Sequence, residues 1–338
     1  MRLARLLTLA LCPALVATAI HFAGPAGAVA ETQPHSKALA EAYRDLEEGE
    51  ADRALDLLGA QPTSGPAAAE ASNLACRVRY TLKQWDAAIS ACEQAVEVDG
   101  KDSDYHLWLG RALGEKAARA TFLTAYSLAK RTRVEFEQAV ELDPRNADAL
   151  ADLGDFYRQA PGVLGGGIDK ARAVAIELDK VDTTRAEMLR GQIAEQRNDY
   201  AAAETAYKMM TGSGPEQATG WVSLAGFYAR RQRFDEMETA VHDIVGTAAH
   251  DKHGGVALYD GAGLLIETKR DLALAAEMLE NYLAGSAKSE EAPAFIAHMR
   301  LAQLKRQLGD PAAAGHEQAS ALAMAREYNP AQDEKTHR

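Results

Sequence analysis

The chain is short of aromatics, cysteine and basic charge, and each shortage excludes something. Phe, Trp and Tyr supply only 6% of the 338 residues, although 47% are hydrophobic. The apolar content is therefore mostly Ala and Leu, which suits close helix–helix packing better than a sheet. No segment alternates β-branched with polar residues, so there is no strand signal. Lys and Arg number 37 against 49 Asp and Glu, a formal net charge of −12. An acidic surface of that kind repels phosphate backbones and excludes nucleic acid as a partner. No Ser/His/Asp set occurs around a nucleophile elbow. Acid pairs such as Glu47-Glu48, Glu290-Glu291 and Asp333-Glu334 read as solvated surface. The expectation is a chain that is not an enzyme and needs no cofactor and no metal.

Long apolar runs are confined to the start of the chain. Arg2 and Arg5 precede an apolar stretch from Leu6 to Ile20, and small residues ending in Ala28-Val29-Ala30 follow. That order reads as a signal peptide over 1–30. The stretch is shorter than the roughly 20 residues a membrane span needs. Cys12 sits inside the run, behind the bulky Leu11, which does not fit a lipid-attachment site. Residues 1–30 hold two Arg and no acid, so the remainder carries 35 basic against 49 acidic residues, a net of −14. The expected location is periplasmic or secreted, with no stable membrane insertion after cleavage. Cys76 and Cys92 then meet an oxidising compartment, where they form either a disulfide or two small buried thiols.

The informative stretch is Phe136 to Tyr157, FEQAVELDPRNADALADLGDFY. Phe136 and Ala139 close one helix, Pro144 stops it, and Leu150, Leu153, Gly154 and Tyr157 open the next. The rest of the chain falls into register around it at a period of about 34 residues. A first unit, about 37–62, has Gly49, Ala51, Ala54 and Leu57. The second, about 69–101, has Trp85, Ala88, Cys92 and Ala95, with Gly100 ending the helix through a left-handed cap. In the third, Leu109 and Phe136 stand ten residues further apart than the period allows. The added segment reads as an early start of the second helix, projecting beyond its neighbours, with Phe122, Tyr126 and Ala129 at helical spacing. The fourth unit inserts APGVLGGG before its second helix resumes at Ile168. Both additions fall at the turn inside a helical pair, which would set them side by side on one edge. A fifth unit shows Gly191, Tyr200, Ala203 and Tyr207. The sixth has Trp221, Leu224, Ala225, Tyr228, Phe234, Met237 and Val241, which read as packing residues. The seventh has Tyr259, Gly263, Ile266, Leu272, Ala275 and Leu279, and the eighth Leu301, Ala302, Gly309, Ala314 and Ala321.

These motifs resemble the tetratricopeptide repeat (TPR) superfamily over roughly 37–325. The long helix of the third unit together with APGVLGGG is similar to a group of exported bacterial TPR proteins without an assigned activity. It is similar, more distantly, to the eukaryotic regulator of microtubule dynamics family, from which only fold is carried over. The resemblance implies an all-α, right-handed superhelical solenoid of about eight helix pairs over 31–328, followed by a disordered tail over 329–338. It implies a scaffold that binds another protein or peptide. The alternatives are an envelope assembly factor and a small-ligand-binding protein using the Gly-rich turn. Some members grip a terminal carboxylate with Lys and Asn on their first helices. Here the matching inner positions are Arg111, Asp155, Gln192, Gly226 and Gln303, so that clamp is not carried over.

Candidate partner-binding residues are therefore Phe122 and Tyr126 on the extended helix, Gly162, Gly165, Gly166 and Gly167 in the inserted turn, and Arg111 and Asp155 on the inner face. A phosphate loop would need Lys directly after its last Gly and a strand before it. Here Ile168 and Asp169 precede Lys170, and a helix comes first. His250, Asp251 and His253 form a polar loop that lacks a full ligand set for a metal.

Overall fold

The computed structural model describes residues 37–61, 64–212 and 216–328. The expected signal segment 1–30, the leader 31–36 and the tail 329–338 lie outside the described residues. Within them the chain is helical, with no strand. The helices fall into eight antiparallel pairs: α1 Lys37–Glu48 with α2 Ala51–Gly59, α3 Pro66–Thr81 with α4 Trp85–Val98, α5 Ser103–Arg119 with α6 Phe122–Leu142, and α7 Ala147–Gln159 with α8 Ile168–Asp179. The second half continues with α9 Thr183–Gln196 and α10 Tyr200–Met210, α11 Gln217–Arg230 and α12 Phe234–Ala248, α13 Gly254–Thr268 and α14 Leu272–Ala284, then α15 Ala294–Gln307 and α16 Pro311–Met324. The fold is an α-solenoid, as the repeat register predicts.

Small residues let the paired helices approach. Ala54, Ala88, Ala139, Ala171, Ala203 and Ala275 are all fully buried. A Cβ on Gly110 would lie 2.5 Å from the Phe136 ring, and one on Gly191 would lie 2.6 Å from Tyr207. Gly154 is closed in the same way by Leu189 and Val174. In the seventh pair the tight point is Gly261, pressed by Met278 and Ile244, and not Gly263. Helix starts are capped where the sequence offers Asp or Asn: Asp102, Asn146, Asp182, Asp199, Asp271 and Asp310 each accept a backbone N–H. Each such cap contributes about 1 kcal/mol.

Six of the pairs turn in the same way. Gly49, Lys83, Asn198, Gln232, Lys269 and Gly309 stand at positive φ between first and second helix. The third and fourth pairs depart from this, and those are the pairs with insertions. In the third, the added residues lengthen both helices, not the second alone. α5 runs on to Arg119, the break falls at Ala120 and Thr121 in extended conformation, and α6 then spans 21 residues. The physical reason is that Ala117 and Ala118 favour helix as much as Phe122 does, while Thr121 flanks a helix start readily. In the fourth pair the insertion forms one 3-10 turn, Gly162–Leu164, closed by Gly165 at φ 89°. Gly100 does not adopt the left-handed cap expected of it. α4 ends instead on extended Asp99, whose carboxylate accepts the Lys101 N–H at 3.1 Å.

The array also turns back on itself. Arg326, just after α16, donates to Asp52 on α2 at 2.6 Å, and Gln84 donates to Glu327 at 2.8 Å. Gly49 lies against the start of α15, where a Cβ would stand 2.7 Å from the Ala294 nitrogen. One apolar core accordingly joins Leu39, Leu46 and Leu74 to Tyr207, Phe295 and Leu301. The open groove of a simple solenoid is closed here, because the first and last pairs bury apolar surface on each other.

Candidate functional site

The first helices of the pairs carry a row of charged residues toward one another. Arg77 on α3 is clamped by Glu290, from the loop before α15, with Nε 3.0 Å from Oε2 and a second bond from Nη2 to Oε1. Its Nη2 also donates to the Tyr43 hydroxyl at 3.1 Å, and its guanidinium lies over the Tyr43 and Trp108 rings at 4.8 and 5.2 Å. Burial disfavours the Arg77 charge, and the Glu290 carboxylate more than offsets this, so its pKa is raised. Next in the row, Arg111 on α5 donates to Asp152 at 2.6 Å and stacks on Trp108 at 4.6 Å. Arg185 on α9 pairs with Asp148 at 2.8 Å and Asp182 at 3.4 Å.

The carboxylates here are crowded. Burial pushes the Glu291 carboxyl well above the usual range, against the pull of Arg111, with Asp148 adding to the rise. Burial likewise raises Asp148 and, helped by Glu290, Glu47. Further along, burial raises Asp260 on α13 to about 7 although Arg300 opposes it, and burial with Arg300 and Arg119 lowers Lys83 to about 8. Sequence reasoning missed this cluster. It read Glu290-Glu291 as solvated surface, and the correction comes from ring closure, which brings together residues over 200 positions apart. The only local hint was Arg111 at an inner repeat position.

Arg111 and Asp155, expected to face a partner on the inner side, are engaged within the chain. Asp155 is one turn beyond Asp152 on α7 and accepts from Arg158 at 3.0 Å, with Gln159 as a second donor. The outer candidates behave differently. Phe122 is 69% exposed, its neighbour Leu123 80%, and Tyr126 lies at the edge of exposure under Lys130. The buried residues of α6 are Leu128, Thr132, Phe136 and Ala139. Val163 in the inserted turn is 73% exposed. Gly165 packs on the Arg133 side chain of α6, so the two insertions are neighbours on one edge. Gly166 leaves no room for a side chain against the Ala160 carbonyl, and the Gly167 N–H donates to the Tyr157 carbonyl at 2.7 Å. Lys170 folds back onto the turn, donating to the Gly165 carbonyl at 2.8 Å, and so does not present a free cation to a phosphate. Gly162 is the exposed start of the turn.

Two other sequence candidates resolve into structure. Cys76 and Cys92 are disulfide-bonded across α3 and α4, with Cα atoms 5.2 Å apart. Asp251, between the two loop histidines, holds the start of α11 by accepting the Ala218 N–H at 2.7 Å, and it accepts the His253 N–H as well. His253 turns inward toward Glu216 at 3.7 Å. No group of three His, Cys, Asp or Glu side chains among the described residues could hold a metal ion. No helix among them is long and apolar enough to cross a membrane.

No protein-family model matches the chain, and no curated protein matches it. Solved structures do resemble it. A thermophilic TPR protein of Thermus thermophilus aligns with a TM-score of 0.48 at 17% identity, covering 56% of this chain and 96% of its own. A TPR protein from Parabacteroides merdae aligns at 0.46 and 11% identity, over 77% of this chain and 97% of its own. The chain is thus similar to TPR proteins.

Proposed function

We propose that this chain is an exported interaction scaffold that engages another protein or peptide through the edge formed by the end of the α5–α6 hairpin and the 162–167 turn. The observation that carries this is the exposure of Phe122, Leu123 and Val163 in a chain with so few aromatics. Exposed apolar clusters on a protein surface mark contact sites more often than accidents. Arginines of the inner face are engaged in the chain's own ion pairs, whereas Phe122, Leu123 and Val163 are the most exposed large apolar side chains among the described residues. Export is supported by the sequence of residues 1–30 and by the Cys76–Cys92 bond, which persists in oxidising compartments.

The test is a photo-crosslinker placed at Tyr126 or Leu164 in cells, followed by identification of what is captured. The expected result is one dominant protein, lost in a Phe122→Ser/Leu123→Ser variant whose thermal stability matches the native chain. Capture that survives this double substitution refutes the edge. Intact-mass and N-terminal sequencing of the exported product, expected to begin at Glu31, checks the signal.

A further inference from the structure

The two insertions end in uncharged tips. A quarter of the chain's residues are charged, yet 120–129 (ATFLTAYSLA) and 160–168 (APGVLGGGI) hold no charge at all. The first tip joins α5 and α6, the two longest helices described, and the second lies beside it through Gly165 on Arg133. Thr121 to Thr124 are exposed in succession, and so are Pro161 to Val163. Residue types then change in order along α6. Phe122 and Leu123 stand at its start, Tyr126 one turn in, and Lys130 a further turn in, its ammonium 5.6 Å from the Tyr126 ring centre. At the helical rise, Lys130 is about 12 Å behind Phe122.

The charge of this end is also distinct. From 116 to 134 the chain carries Lys116, Arg119, Lys130, Arg131 and Arg133 and no acid, against a net of −12 for the whole. Lys116, Arg119, Arg131 and Arg133 pair with Asp86, Glu115, Glu93 and Glu137, all exposed or half-exposed, and such pairs hold their cations weakly. Lys130 meets the Tyr126 ring instead of a carboxylate.

An apolar apex, a tyrosine behind it and a lysine behind that reproduce the layers of a bilayer surface. Apolar side chains reach the acyl boundary, tyrosine sits at headgroup level, and lysine snorkels to the phosphates. The spacing fits, since interfacial segments sink about 5–10 Å. We propose that this edge docks on a membrane carrying anionic phospholipid, with Phe122, Leu123 and Val163 inserted and Lys130 on the phosphates. Layering along one axis selects a bilayer over a protein pocket, which has an apolar centre and a polar rim but no such order. The proposal rests on the edge reading of the preceding subsection and adds where that edge works: the protein partner is met at a lipid surface. The docked chain crosses nothing, in keeping with helices too short or too polar to span.

The test is sedimentation of the whole exported chain with two kinds of vesicle, phosphatidylcholine alone and phosphatidylcholine with phosphatidylglycerol as the minor component. The native chain is expected to bind the mixed vesicles at least about threefold more tightly than the neutral ones. Phe122→Ser/Leu123→Ser, with native thermal stability, is expected to lose at least about tenfold on both. Lys130→Glu is expected to lose about threefold on the mixed vesicles only. A Leu123→Trp variant is expected to show a blue-shifted emission when vesicles are added, which reports insertion. No binding by the native chain, equal binding to both vesicles, or full binding by the double variant overturns the proposal. The two readings of the edge separate cleanly. A soluble protein captured at Tyr126 without vesicle binding overturns docking and leaves the scaffold; vesicle binding with nothing captured supports docking and removes the scaffold.

Discussion

Replacing Cys76 and Cys92 together by alanine is the cleanest test of how the second pair is held. Both residues are fully buried, and the bond spans a sequence separation of 16. Removing a cross-link over a loop of that length restores chain entropy to the unfolded state worth about 3 kcal/mol. Alanine is the right replacement, because serine would bury two hydroxyls in an apolar cluster with Ala88, Ile89 and Leu113. The missing sulfurs leave small voids, which add about 1 kcal/mol more. The expected total is therefore about 4 kcal/mol, measured by urea unfolding of the folded chain.

Reductant separates the two contributions. The native chain with its bond reduced should lose about 3 kcal/mol while keeping its sulfurs, whereas the double variant should be indifferent to reductant. The buried bond should also resist reduction until the second pair opens, so loss of the bond should track added urea. If the oxidised and reduced native chains unfold at the same urea concentration, the two sulfurs are not bonded in solution and the reasoning fails.

Two further outcomes follow from packing and charge. Gly154→Ala should destabilise by about 1 to 2 kcal/mol, since its Cβ meets Leu189 and Val174, while Gly246→Ala on α12, with open space around it, should stabilise by about 0.5 to 1 kcal/mol; equal effects in thermal melts would refute the packing of α7. Asp260 is half-buried with its carboxyl raised to about 7 from 3.8. A raised carboxyl costs stability as pH climbs from the unfolded value through the folded one, so Asp260→Asn should gain on the native chain by about 2 kcal/mol more at pH 8 than at pH 5. A difference that does not vary with pH would show that Asp260 is not held in this environment.

Much of the fold was legible because the period is carried by size classes. Ala88, Ala139, Ala171 and Ala203 are small where paired helices cross, and each is fully buried. That requirement is local to a pair, so it is written within about 34 residues and can be read without knowing the rest. The same applies to the inserted turn, where Pro161 and Gly162 to Gly167 break the helix wherever they occur. What failed to read out was conformational detail and distance. Gly100 looks like a left-handed cap, but Asp99 completes the stop first. The helical spacing of Phe122 and Tyr126 shows a projecting second helix, but not that α5 lengthens with it to Arg119. Glu290 and Glu291 look like solvated acids, because nothing near them in sequence announces Arg77 or Arg111.

Closure changes the physical character of the array. In an open solenoid each unit touches only its neighbours, and the end units need polar outer faces. Here the outer ends of the first and last pairs are apolar and meet, with Leu39, Leu46 and Phe295 in one core. Such a ring gives up the independence of its units, and the first pair cannot fray without exposing the last. The cost is an interior lined by first helices that cannot be fully apolar, since the same faces would form a groove in an open array. Arg77, Arg111 and Arg185 are the residue of that geometry, and each is matched by a carboxylate because unpaired burial would undo the ring. Arg77 alone among the three is matched by a loop and not by a neighbouring first helix or its own cap. That places the buried ion pair of the seam at Glu290, beside the more exposed pair of Arg326 with Asp52, and makes it the contact between the two ends that is costliest to leave half-made.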